Sequence, residues 1–211
     1  MDPRDIRLIA IAGPPVLEER KIVSGCRAAV DGGVTAVQLR HKHASASVLL
    51  RLTEELLQAL PVPVYVNDRA DVAWIAGAAG VHVGSDDLAP GQIRSFAPAP
   101  FRIGISVGNE HEASRAASQD VDYWSVGSIY TTSTKRDAGT AIGTDGFRRL
   151  AGRAREGVPV IAIGGIDVGR APEILSAGAA GIAVSSALFS TSDIARAARE
   201  LRSVVDRHLA V

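Results

Sequence analysis

Two aspartates follow apolar runs in the centre of the sequence, where they could hold a divalent cation. Asp68 comes after the run 64–66 with Asn67 between them, and Asp87 comes shortly after the run 81–83. Valine-rich runs are typical of buried strands, and neighbouring parallel strands end at the same edge of a sheet. Two carboxylates beside a phosphorylated ligand suit Mg²⁺, which prefers one or two carboxylates together with phosphate oxygens. The alternative is that both aspartates cap the helices that follow them.

Cationic and polar side chains stand at the ends of other apolar runs. Gln38, Arg40 and Lys42 alternate along the chain, so they are predicted to share one side of a strand. Arg40 and Lys42 beside a metal-bound phosphate would bind its remaining oxygens, and a buried Gln38 requires a hydrogen-bonding partner. An ordinary basic rim is the alternative. Asn67 and Ser106 end two further runs and could donate hydrogen bonds to a phosphate oxygen.

The connection between the sixth and seventh apolar runs is the longest in the chain, and its excess is the polar segment 127–143. Hydroxyl groups at Thr132 and Thr134 precede the cation of Lys135, a combination that can bind an anion. The alternative is a solvated loop without a ligand. Because barrel enzymes keep their active sites in such loops, this segment is predicted to cover the substrate.

Small residues end the seventh and eighth apolar runs. Gly164 and Gly165 follow the seventh run, and Ser185 and Ser186 follow the eighth. The corresponding two loops of barrel enzymes commonly bind phosphate through backbone N–H groups, and glycine allows the backbone to approach the ligand closely. We therefore predict a phosphate site at these four residues.

Eight apolar runs alternate with helical patterns along the whole chain, without a change of composition between them. Strands are predicted at 8–12, 36–39, 64–66, 81–83, 102–106, 123–126, 160–163 and 181–184. Helices are predicted at 16–30, 45–57, 70–77, 90–96, 110–118, 145–156, 170–177 and 192–209. Such alternation indicates parallel strands with helical crossovers. It favours an α/β fold of the (β/α)₈ TIM-barrel type, with residues 1–211 forming one domain. An open doubly wound sheet would ordinarily show a glycine-rich turn after the first strand, which this chain lacks.

The bulk properties narrow the class of protein. Among the 211 residues, 23 Lys and Arg balance 23 Asp and Glu, which argues against a nucleic-acid-binding or membrane-surface protein. Cys26 is the only cysteine, so the chain has no internal disulfide and is consistent with a reducing compartment. No signal peptide and no apolar run long enough to span a bilayer are found in the sequence, which predicts a cytoplasmic protein.

Seven short motifs occur in barrel order. They are Gln38-Leu-Arg40-x-Lys42, Val66-Asn67-Asp68-Arg69, Gly80-Val-His-Val-Gly-x-Asp-Asp87-Leu, Gly104-Ile-Ser106-Val, Gly127-Ser-Ile-Tyr-x-Thr132-x-Thr134-Lys135-x-Asp137-Ala, Ala162-Ile-Gly164-Gly165-Ile and Ser186-Ala187. Together they closely resemble the thiamine-phosphate synthase (thiamine-phosphate pyrophosphorylase) family, over nearly the whole chain. The ordered set is specific, whereas each motif alone is not.

The resemblance implies a transferase of thiamine biosynthesis. Its small-molecule substrates would be hydroxymethylpyrimidine diphosphate and thiazole phosphate, and its products thiamine phosphate and pyrophosphate. By this resemblance Asp68 and Asp87 hold Mg²⁺, and Gln38 contacts the pyrimidine. The residues that would bind the leaving diphosphate are Arg40, Lys42, Asn67, Ser106 and Lys135. The residues that would contact the thiazole substrate or its phosphate are Thr132, Thr134, Gly164, Gly165, Ser185 and Ser186.

Departures from the family pattern keep two alternatives open. The first strand and Ser85 differ from the usual residues, which leaves room for a barrel that binds thiamine precursors without catalysis. Gly108 stands where a histidine is frequent. The thiazole tautomerases, which this chain also resembles, depend on that histidine and often lack one of the metal-binding carboxylates. Both carboxylates remain here, so the synthase is favoured. A homo-oligomer is possible.

Overall fold

The computed structural model describes residues 2–131 and 140–209. Eight parallel strands, each bonded to the next along the chain and the last to the first, close into a barrel. The strands are β1 (Leu8–Ala12), β2 (Ala36–Leu39), β3 (Val64–Asn67), β4 (Gly80–Val83), β5 (Arg102–Val107), β6 (Tyr123–Val126), β7 (Val160–Ile163) and β8 (Ile182–Val184). The predicted TIM barrel is therefore confirmed.

Helices connect the strands on the outside of the barrel. They are α1 (Ile22–Asp31), α2 (Ala46–Ala59), α3 (Ala70–Ala76), α4 (Pro90–Phe96), α5 (Glu110–Ala117), α6 (Gly143–Ala151), α7 (Ala171–Ser176), α8 (Ser186–Phe189) and α9 (Ile194–Leu209). Side-chain caps begin α2, α5 and α9: Ser45 accepts from the Val48 amide, Asn109 from the Glu112 amide, and Asp193 from the Arg196 amide. Among the helices of the described ranges, none combines the length and apolar character needed to cross a membrane.

Alternation along the strands divides the apolar residues between two cores. One set of strand side chains faces outward and packs beneath the helices, where most buried Val, Leu and Ile residues lie. The other set fills the barrel interior, as expected for the period of two residues in a strand. The apolar members of this inner set are Ile9, Ile11, Ala36, Tyr65, Tyr123, Ile161 and Ala183, and Ile6 from the turn before β1 packs with them.

The amino-terminal end of the barrel is closed by the chain's own first residues. A short 3₁₀ turn, Pro3–Ile6, lies below the strands, and Ile6 is completely buried. Arg102 binds the Asp5 carboxylate at 2.8 Å and donates to the Tyr65 hydroxyl at 3.2 Å. A functional site in this barrel must therefore open at the carboxyl ends of the strands, as in other TIM-barrel enzymes.

The structure corrects the bounds of two predicted helices and adds two short elements. The helix predicted at 16–30 begins as an α-helix only at Ile22, after a 3₁₀ turn, Glu19–Lys21. Residues 14–16 instead form a turn, after which the Leu17 amide donates to the Gly13 carbonyl at 3.1 Å. The helix predicted at 145–156 ends at Ala151, before Gly152. The turn Pro3–Ile6 and α8 were not predicted.

Candidate active site

The structure brings the two aspartates together at the carboxyl rim of β3 and β4. These strands are neighbours, and the Asp68 amide donates to the His82 carbonyl at 2.8 Å. The Asp87 carboxylate accepts from the Gly84 amide at 2.7 Å, which fixes its side chain beside the end of β4. Burial and the adjacent, hydrogen-bonded Asp87 carboxyl raise the pKa of Asp68 from 3.8 to about 6. The carboxyl groups of Asp68 and Asp87 are therefore in direct contact.

The backbone at Asp68 has an unusual conformation. Its φ is 66°, and within residues 2–131 and 140–209 no other residue except glycine has a positive φ. Asp tolerates the left-handed region better than most residues, but the conformation still carries strain, and such strain is often found at functional sites.

Neither aspartate caps a helix, so the alternative interpretation of the sequence is not supported. The residue at the start of α3 is Arg69, which makes no side-chain cap. At the start of α4 the Ala89 amide donates to the Gln92 side chain, not to Asp87. The two carboxylates face each other instead.

Two cations from the end of β2 approach the acidic pair. The Lys42 ammonium group lies 3.7 Å from an Asp68 carboxylate oxygen, and 42% of the Lys42 side chain is exposed. Arg40 is near enough that its charge, like that of Lys42, lowers the pKa of Asp68 against the effect of burial. The rim therefore carries acidic and basic groups in contact, an arrangement suited to a metal ion and its anionic ligand.

A polar column beneath the rim connects Ser106 to Gln38. The Ser106 hydroxyl and one His82 ring nitrogen are 3.0 Å apart, and the other ring nitrogen lies 3.0 Å from the Tyr123 hydroxyl. Gln38 is buried and also hydrogen-bonds to Tyr123. This column fixes the orientation of Ser106 from below.

The glycines after β7 form a turn that other residues could not adopt without strain. Gly164 has a φ of 102° and Gly165 a φ of 65°. A Cβ atom on Gly164 would lie 2.1 Å from the Ser128 hydroxyl oxygen. The turn after β8 lies at the same rim, where the Ser185 hydroxyl donates to the Ile11 carbonyl at 2.8 Å and Ser186 begins α8.

We predict that Gly164→Ala lowers the free energy of unfolding by more than about 1 kcal/mol, because the substitution adds both the Ser128 overlap and a strained φ. Urea unfolding measures this change. The matched control is Gly91→Ala on α4, where a Cβ would meet nothing within 4 Å and the φ is not positive. Equal free energies of unfolding for the two variants would contradict the prediction.

Three predicted site residues, Thr132, Thr134 and Lys135, lie outside the described residues. The chain on either side of them is paired: the Ile142 amide donates to the Ser128 carbonyl at 3.0 Å, and the Gly143 amide donates to the Ile129 carbonyl at 3.0 Å. The other predicted residues all lie at or just below the carboxyl rim.

Comparisons with known proteins agree with the geometry of the barrel. The sequence model described as thiamine monophosphate synthase matches residues 8–188. The chain is 40% identical to the thiamine-phosphate synthase of Azorhizobium caulinodans over 207 residues, covering 97% of both chains. The chain belongs to the thiamine monophosphate synthase family.

Further members of the thiamine monophosphate synthase family give the same result. The enzyme of Chloroflexus aurantiacus is 40% identical, covering 95% of this chain and 93% of its own. The thiamine phosphate pyrophosphorylase structure from Pyrococcus furiosus has a TM-score of 0.88 at 33% identity and covers 99% of each chain. A 3-hexulose-6-phosphate synthase structure, with a TM-score of 0.72 at 20% identity, shares the fold. The predicted family and the predicted enzyme class, a transferase, are confirmed.

Sequence reasoning missed the contacts that His82 and Tyr123 make beneath the acidic rim. His82 is buried and hydrogen-bonded, as an ordinary core histidine would be. The signal for its position is alternation in β4, which places it on the inward face with Gly80. Its contact with Ser106 depends on the pairing of β4 with β5, which the sequence alone does not show.

Proposed function

We propose that this chain joins hydroxymethylpyrimidine diphosphate to thiazole phosphate, releasing pyrophosphate, at the carboxyl rim of the barrel. The observation that carries the proposal is that Asp68, hydrogen-bonded to Asp87, also lies beside the Lys42 ammonium group. A thiamine monophosphate synthase needs a place for a leaving diphosphate, and acidic and basic groups in contact at an open rim provide one.

The acidic pair fits Mg²⁺ by the chemistry of its donors. In the part of the chain that the structure describes, no group of three or more His, Cys, Asp or Glu residues could hold a metal ion. Asp68 and Asp87 would be the protein ligands, with phosphate and water oxygens completing the shell, because Mg²⁺ is commonly bound by one or two carboxylates together with phosphate oxygens. Bound there, Mg²⁺ would supply positive charge to the diphosphate oxygens.

The leaving diphosphate would be bound by the residues around the acidic pair. As the bond from the pyrimidine methylene carbon to oxygen breaks, both electrons go to the diphosphate, and its negative charge increases. Arg40 and Lys42 would stabilise this charge, with Asn67 and Ser106 donating hydrogen bonds to the oxygens. Lys135 is proposed to add a third cation. The thiazole nitrogen then uses its lone pair to form the new bond to carbon, so no strong base is needed.

The two organic groups would occupy the rest of the rim. Gln38 has further hydrogen-bonding capacity beyond its contact with Tyr123, so its amide could also bind the pyrimidine. Backbone N–H groups at Gly164 and Gly165, together with Ser185 and Ser186, would bind the thiazole phosphate. Thr132 and Thr134 would contact the thiazole. A reactive pyrimidine cation must be kept from water, which is the role proposed for segment 127–143.

The retained carboxylates favour the synthase over a thiazole tautomerase. Gly108 offers no side chain to act as an acid or base, and its amide donates to Glu112 at 2.6 Å. A barrel that binds thiamine precursors without catalysis would bind both substrates but release nothing.

Pyrophosphate release, measured with both substrates, tests the proposal. We expect release that requires both substrates and Mg²⁺, with thiamine phosphate formed in equal amount. Reactions that lack one substrate, or that contain a chelator, are the controls. Binding of both substrates without release would support the non-catalytic alternative, and a metal-independent reaction of a single phosphorylated thiazole would support the tautomerase.

A further inference from the structure

Glu173, on the exposed side of α7, holds two segments that flank the long connection after β6. Its carboxylate accepts a hydrogen bond from the Tyr130 hydroxyl at 2.9 Å and a second one from the Thr144 hydroxyl. These hydrogen bonds, Thr144 first, hold the pKa of Glu173 below its usual range. One exposed carboxylate thus makes two specific bonds at the rim, which a solvated surface residue does not require.

Tyr130 connects this carboxylate to the glycine turn after β7. Its amide donates to the Gly164 carbonyl at 3.0 Å. Its ring lies under the Arg170 guanidinium, 4.9 Å from the ring centre, and Arg170 donates to the Gly165 carbonyl at 2.7 Å. Both carbonyl groups of the turn are therefore held by Tyr130 and by the cation that stacks on it.

Fixing these carbonyl groups also fixes the amides that follow them. In a planar trans peptide the C=O and the next N–H point in opposite directions. The Gly164 carbonyl thus sets the direction of the Gly165 N–H, and the Gly165 carbonyl sets that of the Ile166 N–H. A glycine turn with positive φ has few restraints of its own, so external contacts must supply them.

We propose that Glu173 is a positioning residue for the Gly164–Gly165 turn and thereby sets the affinity for the phosphate-bearing thiazole. It acts through Tyr130 and Arg170 without touching the substrate. The inference rests on the proposed function, which places the thiazole phosphate at this turn.

The position of these contacts in the barrel makes the effect larger for one substrate than for the other. Tyr130, Arg170 and Glu173 follow β6 and β7, whereas the Asp68 group follows β2, β3 and β4 on the opposite side of the closed barrel. The binding of the pyrimidine diphosphate therefore depends less on this turn, because only Lys135 among its proposed ligands belongs to the connection after β6. Substitution of a residue that only stabilised the fold would weaken the binding of both substrates alike.

Steady-state kinetics with each substrate varied in turn tests the proposal. Glu173→Ala and Tyr130→Phe are each expected to raise the KM for thiazole phosphate by roughly fivefold or more, with a much smaller rise in the KM for the pyrimidine diphosphate. Glu173→Gln is expected to restore most of the affinity, because its amide oxygen still accepts from Tyr130. Tyr130→Phe deletes one oxygen atom, so it remains informative if Glu173→Ala does not fold.

The control variant is Glu200→Ala, which removes an exposed carboxylate paired with Arg196 on α9. It is expected to change neither KM. The double variant of Tyr130→Phe and Glu173→Ala should have a KM for thiazole phosphate no higher than that of the more affected single variant, because both substitutions remove the same contact. Equal changes in both KM values, no change in either, or additive effects in the double variant would overturn the proposal.

Calorimetric binding of thiazole phosphate separates this inference from the proposed function. Absence of pyrophosphate release by the wild type would refute the function, and binding could still be compared between wild type and variants. Weaker binding to Glu173→Ala would then support the positioning role. Equal binding, or no binding to the wild type, would overturn it.

Discussion

Replacing Asp87 by asparagine is expected to lower the rate of pyrophosphate release at saturating Mg²⁺ by about 100-fold or more. The substitution removes one of the two carboxylates that would hold the metal beside Lys42. Asparagine can still accept the hydrogen bond from the Gly84 amide, which Asp87 accepts at 2.7 Å. The loss would therefore report the missing charge and not a collapsed loop. Asp87→Ala, which loses the hydrogen bond as well, is expected to be at least as inactive.

Asp86→Asn is the matched control for this experiment. Asp86 is adjacent in sequence, and its exposed carboxylate accepts only from the Ser85 hydroxyl at 3.2 Å among the bonds described for it. Its removal changes the net charge by the same amount and should leave the rate close to that of the wild type. Wild-type rates in Asp87→Asn, or equal losses in both variants, would refute the assignment of Asp87 to the metal.

The affinity for Mg²⁺ is expected to fall about tenfold per pH unit below pH 6. Burial and the neighbouring Asp87 carboxyl raise the pKa of Asp68 to about 6, and a carboxyl must lose its proton to bind a metal. Below this pH the proton and the metal compete for the same group. Calorimetric titration with MgCl₂ between pH 5 and pH 8 would measure the effect, and an affinity that does not change over this range would contradict it.

The raised pKa of Asp68 should also make the stability of the metal-free protein depend on pH. The pKa of Asp68 is higher in the folded chain than its ordinary value of 3.8, so its contribution to stability is fully present below about pH 4 and is lost as the pH rises through about 6. Asp68→Asn should therefore gain in free energy of unfolding, relative to wild type, from pH 4 to pH 8. Asp71→Asn is the control: the Arg69 hydrogen bond lowers the pKa of Asp71 below 3.8, so its contribution is lost only as the pH falls below about 4, and this variant should not change relative to wild type from pH 4 to pH 8.

The strands and the residues at their ends could be predicted because their signals are local. Buried parallel strands are runs of Val and Ile, and the polar residue after each run marks where the chain leaves the sheet. This reasoning located Asp68, Asp87 and Lys42 before any contact was known. The predicted bounds of β1, β2, β6 and β7 agree with the structure.

The remaining features depend on contacts between distant parts of the chain. The positive φ of Asp68 has no signal in the residue type, since Asp is common in ordinary loops. The hydrogen bond between His82 and Ser106 requires the register of β4 and β5. Glu173 meets Tyr130 across 43 positions of sequence, and nothing in the helical pattern of α7 indicates that contact. Tertiary packing determines these features, and single-sequence patterns do not describe it.

The turn that closes the amino-terminal end of the barrel determines how substrates enter and products leave. With Ile6 buried and Arg102 bound to Asp5 at that end, the interior is no tunnel. Both substrates must enter, and both products must leave, through the one opening at the carboxyl ends of the strands. A product that dissociates slowly blocks the binding of the next substrate. The turnover rate therefore depends on product release as well as on bond formation.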